Sequence, residues 1–125
     1  MKKITGLSKE PIFCPIVSDF YSGMTVTVPL FAEDLKWGTV EDIKKIYSEK
    51  YTGNIVKYVE AADDGGFISG GKLSCKDSMQ ITVVGNEDRI ILVAMYDNLG
   101  KGASGAAVEC LNYVLGIAPE TGLEI

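Results

Sequence analysis

Between Met79 and Met95, two runs of strand-forming residues, MQITVV and RIILVAM, are separated only by Gly85, Asn86, Glu87 and Asp88. Aliphatic and β-branched residues at that density favour extended backbone, and a four-residue link rich in turn formers is too short for a crossover. The two runs are therefore expected to pair as an antiparallel hairpin. The second is almost continuously apolar, the pattern of a central strand covered on both faces. A chain carrying such a strand needs further strands beside it and other structure above and below it.

The rest of the chain supplies those parts. MTVTVPLF, residues 24–31, alternates. Met24, Val26, Val28 and Leu30 point one way and Thr25, Thr27 and Pro29 the other, which predicts a half-buried strand whose outer end leaves the ladder at Pro29. PIFCPIV, residues 11–17, reads as a short apolar strand, with Pro15 confining it to an edge, and SDFYSG follows as a turn. A helix is expected over 40–52. Thr39 and Asp42 form a variant capping box, Val40, Ile43, Ile46, Tyr47 and Tyr51 make an apolar stripe, and Gly53 stands where a left-handed terminal residue is wanted. NIVKYVEA, 54–61, reads as a strand. A last helix runs from about Ser104 to Leu115, with Ala103, Ala106, Ala107, Cys110, Leu111 and Val114 as its inner face and Gly116 and Pro119 as stops.

Residues 62–78 hold four glycines in a long link with room for a short strand near Phe67–Ile68. A link of that length inside a domain is functional, an interface element or mobile. Strand, strand, helix, strand, loop, strand, strand, helix is an α+β order. The prediction is one domain, 1–125, with a mixed, largely antiparallel sheet and helices packed on one face.

Composition removes several classes of function. The net charge is −5 among 125 residues, which disfavours nucleic acid as a partner because phosphate binding needs a basic footprint. Lys2–Lys3 and Lys44–Lys45 read as solvated surface. No apolar run reaches membrane-spanning length and no apolar stretch follows the first lysines, so neither a membrane partner nor a secretory signal is expected. Cys14, Cys75 and Cys110 are odd in number and widely spaced, without a Cys-x-x-Cys pair. Reduced thiols in the cytoplasm are the simplest account, with no zinc site or disulfide framework. Cys14 and Cys110 are expected to be buried structural thiols. The chain has no histidine, which excludes imidazole acid–base chemistry and imidazole metal ligation within it. No metal site is expected.

YDNLGKGASGAAVECLNYVLG, residues 96–116, runs from a buried strand through a glycine-containing turn into a helix. Gly100, Gly102 and Gly105, with Ala103 and Ser104 among them, permit either tight packing of the helix on its neighbours or close approach by a ligand. A helix N-terminus suits an anion and Lys101 adds charge. The spacing is not the dinucleotide-binding Gly-x-Gly-x-x-Gly.

DNLGKGASGAAVECLNYVLGIAPETGL, 97–123, closely resembles the C-terminal signature of N-acetyl-gamma-glutamyl-phosphate reductases, which reads roughly Asp-Asn-Leu-x-Lys-Gly-Ala-Ser-Gly-x-Ala-Val-Gln and ends in a Thr-Gly-Leu tail. PIFCPIVSDFYSGMTVTVPLF and DSMQITVVGNEDRIILVAMYDN resemble upstream parts of the same family, so the likeness spans nearly the whole chain and is weakest over 33–75. The related aspartate-semialdehyde dehydrogenases share only the Asn–Lys–Gly–Ala core.

The resemblance implies the C-terminal substrate and dimerisation domain of a larger NADP-dependent reductase, with the fold of the glyceraldehyde-phosphate-dehydrogenase-like C-terminal domain. In that family a cysteine thiolate forms a thioester and NADPH supplies hydride, with a histidine assisting proton transfer. Neither that cysteine nor that histidine lies in the matched region, so no catalytic residue is assigned and the chain alone is expected to be inactive. The resemblance places Asn98, Lys101, Gly102 and Ala103 near the nicotinamide end of the cofactor, and Tyr21, Ser22 and Gly23 at the border of the substrate pocket. Glu109 stands where many relatives carry glutamine, and some carry arginine at Ser22. The partners implied are a nucleotide-binding domain of the same polypeptide and a second copy of the chain. The alternatives are a free-standing dimerisation or interaction module, and a reductase for another acyl phosphate such as the N-acetyl-aminoadipyl or aspartyl compound.

Overall fold

The computed structural model describes residues 1–125. A single turn of helix, α1 (Lys2–Thr5), opens the chain, and an extended arm leads to strand β1 (Met24–Phe31). Helix α2 (Val40–Lys50) and strands β2 (Val56–Tyr58), β3 (Met79–Gly85) and β4 (Arg89–Tyr96) follow, then a π-helical turn (Gly100–Ser104) that runs into helix α3 (Gly105–Leu115). The four strands form one sheet in the order β1-β4-β3-β2. β4 pairs antiparallel with β1 and β3, whereas β2 lies parallel to β3, so the sheet is mixed and mostly antiparallel as expected. No helix is long and apolar enough to cross a membrane.

The hairpin forms where the sequence places it. Asn86 Oδ1 accepts hydrogen bonds from the amides of Asp88 and Arg89, at 3.0 and 2.9 Å, and holds the turn. β4 is central and covered on both sides, as its apolar composition requires. On one face Ile90 joins Val83 and Val40 in a buried cluster, with Leu30, Ile43, Tyr47, Tyr58 and Leu92 packed around it. On the other face Val93 and Met95 are covered by Ala62 and Leu73 of the long link, together with Ile68 and Val59. The 62–78 segment is thus a cover for the sheet. It contains no strand, only an isolated bridge between Asp64 and Phe67.

α2 realises its sequence signals. Thr39 Oγ1 accepts from the Asp42 amide and Asp42 Oδ2 accepts from the Thr39 amide, a reciprocal capping box. The hydrogen bonds from Thr39 hold the Asp42 carboxyl below its usual range. The helix stops at Tyr51, not at a left-handed Gly53, because the chain turns back at once so that the Tyr58 amide reaches the Tyr51 carbonyl at 2.8 Å.

Several expectations are corrected. Residues 11–17 form no strand: their backbone pairs with no strand of the sheet, and Ile12, Phe13, Ile16 and Val17 lie between 74% and 97% exposed. The 54–61 strand shrinks to three residues, its start given to the turn after α2 and its end to the link. β1 does not leave the ladder at Pro29: pairing continues to Phe31 opposite Arg89. β1 is an edge strand, where alternate amides point away from the sheet and a missing one costs no ladder bond. Cys14 and Cys110 are exposed, not buried.

The largest correction concerns α3. Its predicted inner face is turned outward: Ala103, Ala107, Cys110, Leu111 and Val114 are exposed, Val114 by 83%. The buried residues of the helix are Gly105 and Asn112. The apolar residues do share one stripe of the helix, but no other part of the chain covers it.

Candidate functional site

β4 ends at Tyr96, and the next residue, Asp97, is 1% exposed. A buried carboxylate must be matched by donors. Oδ2 accepts from the Ser22 hydroxyl and the Cys75 amide, both at 2.6 Å. Oδ1 accepts from the amides of Leu99 and Gly100, at 2.6 and 2.8 Å, folding the turn that leaves the strand. Burial on its own would raise the carboxyl pKa. The Ser22 hydroxyl and the amides of Gly100, Cys75 and Leu99 outweigh it and bring the value to about 2.

These bonds join three stretches far apart in sequence. Ser22 precedes β1, and its Oγ also lies 2.6 Å from Ser74 Oγ. Cys75 adopts φ +64°, a left-handed conformation that costs a non-glycine residue of order 1 kcal/mol or more. That conformation presents its amide to the Asp97 carboxylate. Beside the carboxylate, Gly23 donates its amide to Asn98 Oδ1 at 2.9 Å. Gly23 has φ +120°, and a Cβ there would lie 2.3 Å from the Gly70 carbonyl oxygen, so only glycine fits.

The structure therefore brings Ser22, Gly23 and Asn98 together, and with Tyr21 they line a surface cavity of about 430 Å³ whose apolar wall includes Val17, Phe20 and Ile68. Tyr21 is 87% exposed at its mouth. Lys101, Gly102 and Ala103 do not line this cavity. They occupy the adjoining π-helical turn, a feature often found at functional sites. Gly102 donates to the Asp97 carbonyl at 2.8 Å, and Ala103 is exposed. Lys101 is not a free cation: its ammonium is paired with the Glu109 carboxylate eight residues further on, with side chains only 12% and 18% exposed. Glu109 thus has a partner within the chain. Gly100 and Gly105 are explained by close packing of the protein on itself. A Cβ at Gly100 would lie 2.5 Å from the Lys76 carbonyl oxygen, and one at Gly105 would lie 2.2 Å from Asp77 Oδ1.

Reasoning from the sequence passed over Asp97, Ser74 and Asp77. For Asp97 a signal was present: an acidic residue directly after a continuously apolar strand, two and three positions before amides it can cap, is an Asx-turn pattern. Ser74 and Asp77 carried no local signal. The chain holds no group of three or more Cys, Asp or Glu side chains placed to bind a metal, and its three thiols are all exposed.

Comparison with known proteins agrees with this architecture. Residues 1–98 match the family described as "Semialdehyde dehydrogenase, dimerisation domain". The chain is 44% identical over 92% of its length to N-acetyl-gamma-glutamyl-phosphate reductase of Allorhizobium ampelinum, covering 39% of that protein. It is 38% identical over 98% of its length to N-acetyl-gamma-glutamyl-phosphate reductase 2 of a Nostoc species, covering 41% of it. It is 40% identical over 88% of its length to the reductase of the same name from Brucella ovis, covering 37% of it. The chain thus spans about two-fifths of the length of these curated relatives. With a family match over most of the chain and a mixed four-stranded α+β sheet to go with it, the chain belongs to the semialdehyde dehydrogenase dimerisation-domain family.

Proposed function

We propose that the chain is the C-terminal substrate and dimerisation domain of an NADP-dependent reductase that converts N-acetyl-gamma-glutamyl phosphate to the corresponding semialdehyde in the cytoplasm, as a step of arginine biosynthesis. The observation that carries this reading is the outward apolar face of α3, in a chain that resembles those reductases along nearly all its length. The accessible surface is 8871 Å², whereas a compact monomer of this length would expose roughly 6,500 Å². The difference, on the order of 2,000 Å², exceeds the roughly 800 Å² that each partner of a standard interface contributes. Part of it lies in the extended N-terminal arm, with Ile12, Phe13, Ile16 and Val17, and part in two uncovered apolar areas: the α3 face with Leu99, Leu111 and Val114, and the half of the sheet that α2 leaves bare, with Met24, Val26 and Val28. In this reading a nucleotide-binding domain of the same polypeptide docks on α3 and a second copy of the chain covers the sheet.

The residues at the π-helical turn fit the edge of a dinucleotide site in part. Ala103 is small and exposed, and Asn98 lies at the cavity wall. Lys101 fits less well as an anion ligand, because its charge is already balanced by Glu109. When bound, NADPH would supply hydride. This chain's own contribution is positional: Asp97 holds the Ser22–Gly23 turn against Asn98, and Tyr21 stands at the cavity mouth where the substrate's polar end would enter. With no histidine in the chain, proton transfer by imidazole falls to residues outside it.

The test is complementation. The purified chain is expected to show no NADPH oxidation with N-acetyl-gamma-glutamyl phosphate. Mixed with the preceding three-fifths of one of the reductases it resembles, expressed separately, it is expected to restore turnover. Turnover by the chain alone, or a failure of the two parts to associate, would overturn the proposal. Association with preference for the aspartyl or N-acetyl-aminoadipyl phosphate would reassign the substrate and keep the architecture.

A further inference from the structure

α3 follows the central strand directly, yet it packs chiefly on its own lead-in turn and not on a strand. A helix with an exposed apolar face and no sheet beneath it needs some other restraint to hold a fixed direction. The contacts that supply one form a closed ring. Lys76 and Asp77 lie under the start of the helix, close enough that residues 100 and 105 have no room for a side chain. The Lys101 amide donates to the Lys76 carbonyl at 3.3 Å. From the same two residues the ring continues to the end of the chain. Asp77 N donates to the Glu124 carbonyl at 2.6 Å, Glu124 N donates to Asp77 Oδ2 at 3.1 Å, and Lys76 Nζ donates to Ile125 O at 2.9 Å. The tail then returns to the helix. Asn112, 4% exposed, donates through Nδ2 to the carbonyls of Pro119 and Thr121, at 2.9 and 2.8 Å.

We propose that α3 is positioned by this clasp, in which Asp77 grips the tail with one carboxylate oxygen and packs against the glycine face of the helix start with the other, and that the sheet does not position it. Asp77 is therefore a positioning residue for whatever docks on the outer face of α3. The clasp has this role whichever partner docks there. It makes the segment 117–125 a functional part of the helix–turn unit and gives Gly100 and Gly105 a reason in the protein's own packing.

The experiment is residue-resolved amide hydrogen exchange on the 125-residue chain and three variants: a truncation after Glu120, Asp77→Ala and Asp77→Asn. Truncation and Asp77→Ala are expected to speed exchange across Val108–Tyr113 by about tenfold or more, with Val83 and Val93 unchanged. Asp77→Asn keeps the shape and one acceptor and is expected to restore most of the protection. The proposal fails if α3 exchange is the same in the truncated chain, or if the strand amides lose protection in step with the helix. It also fails if asparagine rescues no better than alanine. Failure of complementation with a nucleotide-binding domain would leave this result untouched.

Discussion

The two longer helices carry the same kind of sequence pattern and meet opposite fates. α2 has a capping box and an apolar stripe, and the stripe is laid on the sheet through Val40, Ile43 and Tyr47 against Val83 and Ile90. α3 has a more apolar stripe, and it faces solvent while Gly105 and Asn112 are turned inward. Amphipathic spacing identifies which face of a helix will be buried, but not in which molecule or domain its cover resides. One end of this protein has a buried core of its own. The other leaves the apolar face of its helix uncovered.

The sharpest way to test that contrast is to damage each end. Ile90→Ala, in the covered cluster, is expected to cost about 3 kcal/mol through lost burial and a residual cavity, read as a fall in the chemical-denaturation midpoint. At the junction between the two ends, Asp97→Asn places an amide donor among groups that already donate and is expected to cost roughly 2 kcal/mol. The same carboxylate gives a pH signature. Its pKa in the folded protein lies below the ordinary 3.8, so its contribution is complete above about 3.8 and is lost as the pH falls toward about 2. The native chain should lose stability across that interval more steeply than the Asp97→Asn chain, and parallel curves would remove Asp97 from its central role.

Smaller effects sharpen the contrast. Thr39→Ala removes one half of the α2 capping box and is expected to cost about 1 kcal/mol, detectable as a shift in the thermal midpoint. Leu111→Ser on the outer face of α3 should change the stability of the chain by less than about 0.5 kcal/mol, because the side chain is already 54% exposed. The same change should weaken association with a separately supplied nucleotide-binding domain by at least about tenfold, because it places a hydroxyl in a closed apolar contact. A large loss of stability with unchanged association would reverse the assignment of this face.

How far the site was legible follows the same division. Ser22, Gly23 and Asn98 are picked out by resemblance and do meet, because the first two precede β1, the third follows β4, and those strands pair with Met24 opposite Tyr96. In the sequence Lys101 reads as a charge added at the start of a helix. Only the folded chain shows Glu109 within reach, since residues eight apart meet across the π-helical turn and the next turn of helix. Asp97 was hidden in plain view as a polar residue after an apolar strand, and its partners Ser22 and Cys75 are 75 and 22 positions away. Cys14 and Cys110 were misplaced because burial was inferred from apolar neighbours, and those neighbours are themselves uncovered.

What the sequence settled by itself is local: the hairpin through Asn86, the capping box at Thr39, the left-handed stop at Gly116 and the central place of an all-apolar strand. Each rests on interactions spanning a few residues, or on a composition tolerable in only one setting. Tertiary structure decided the parallel placement of β2, the conversion of a glycine-rich link into a cover for Val93 and Met95, and the outward turn of α3. Those outcomes depend on which distant surfaces are available to be buried, and a run of residues carries no record of a surface it does not itself contain.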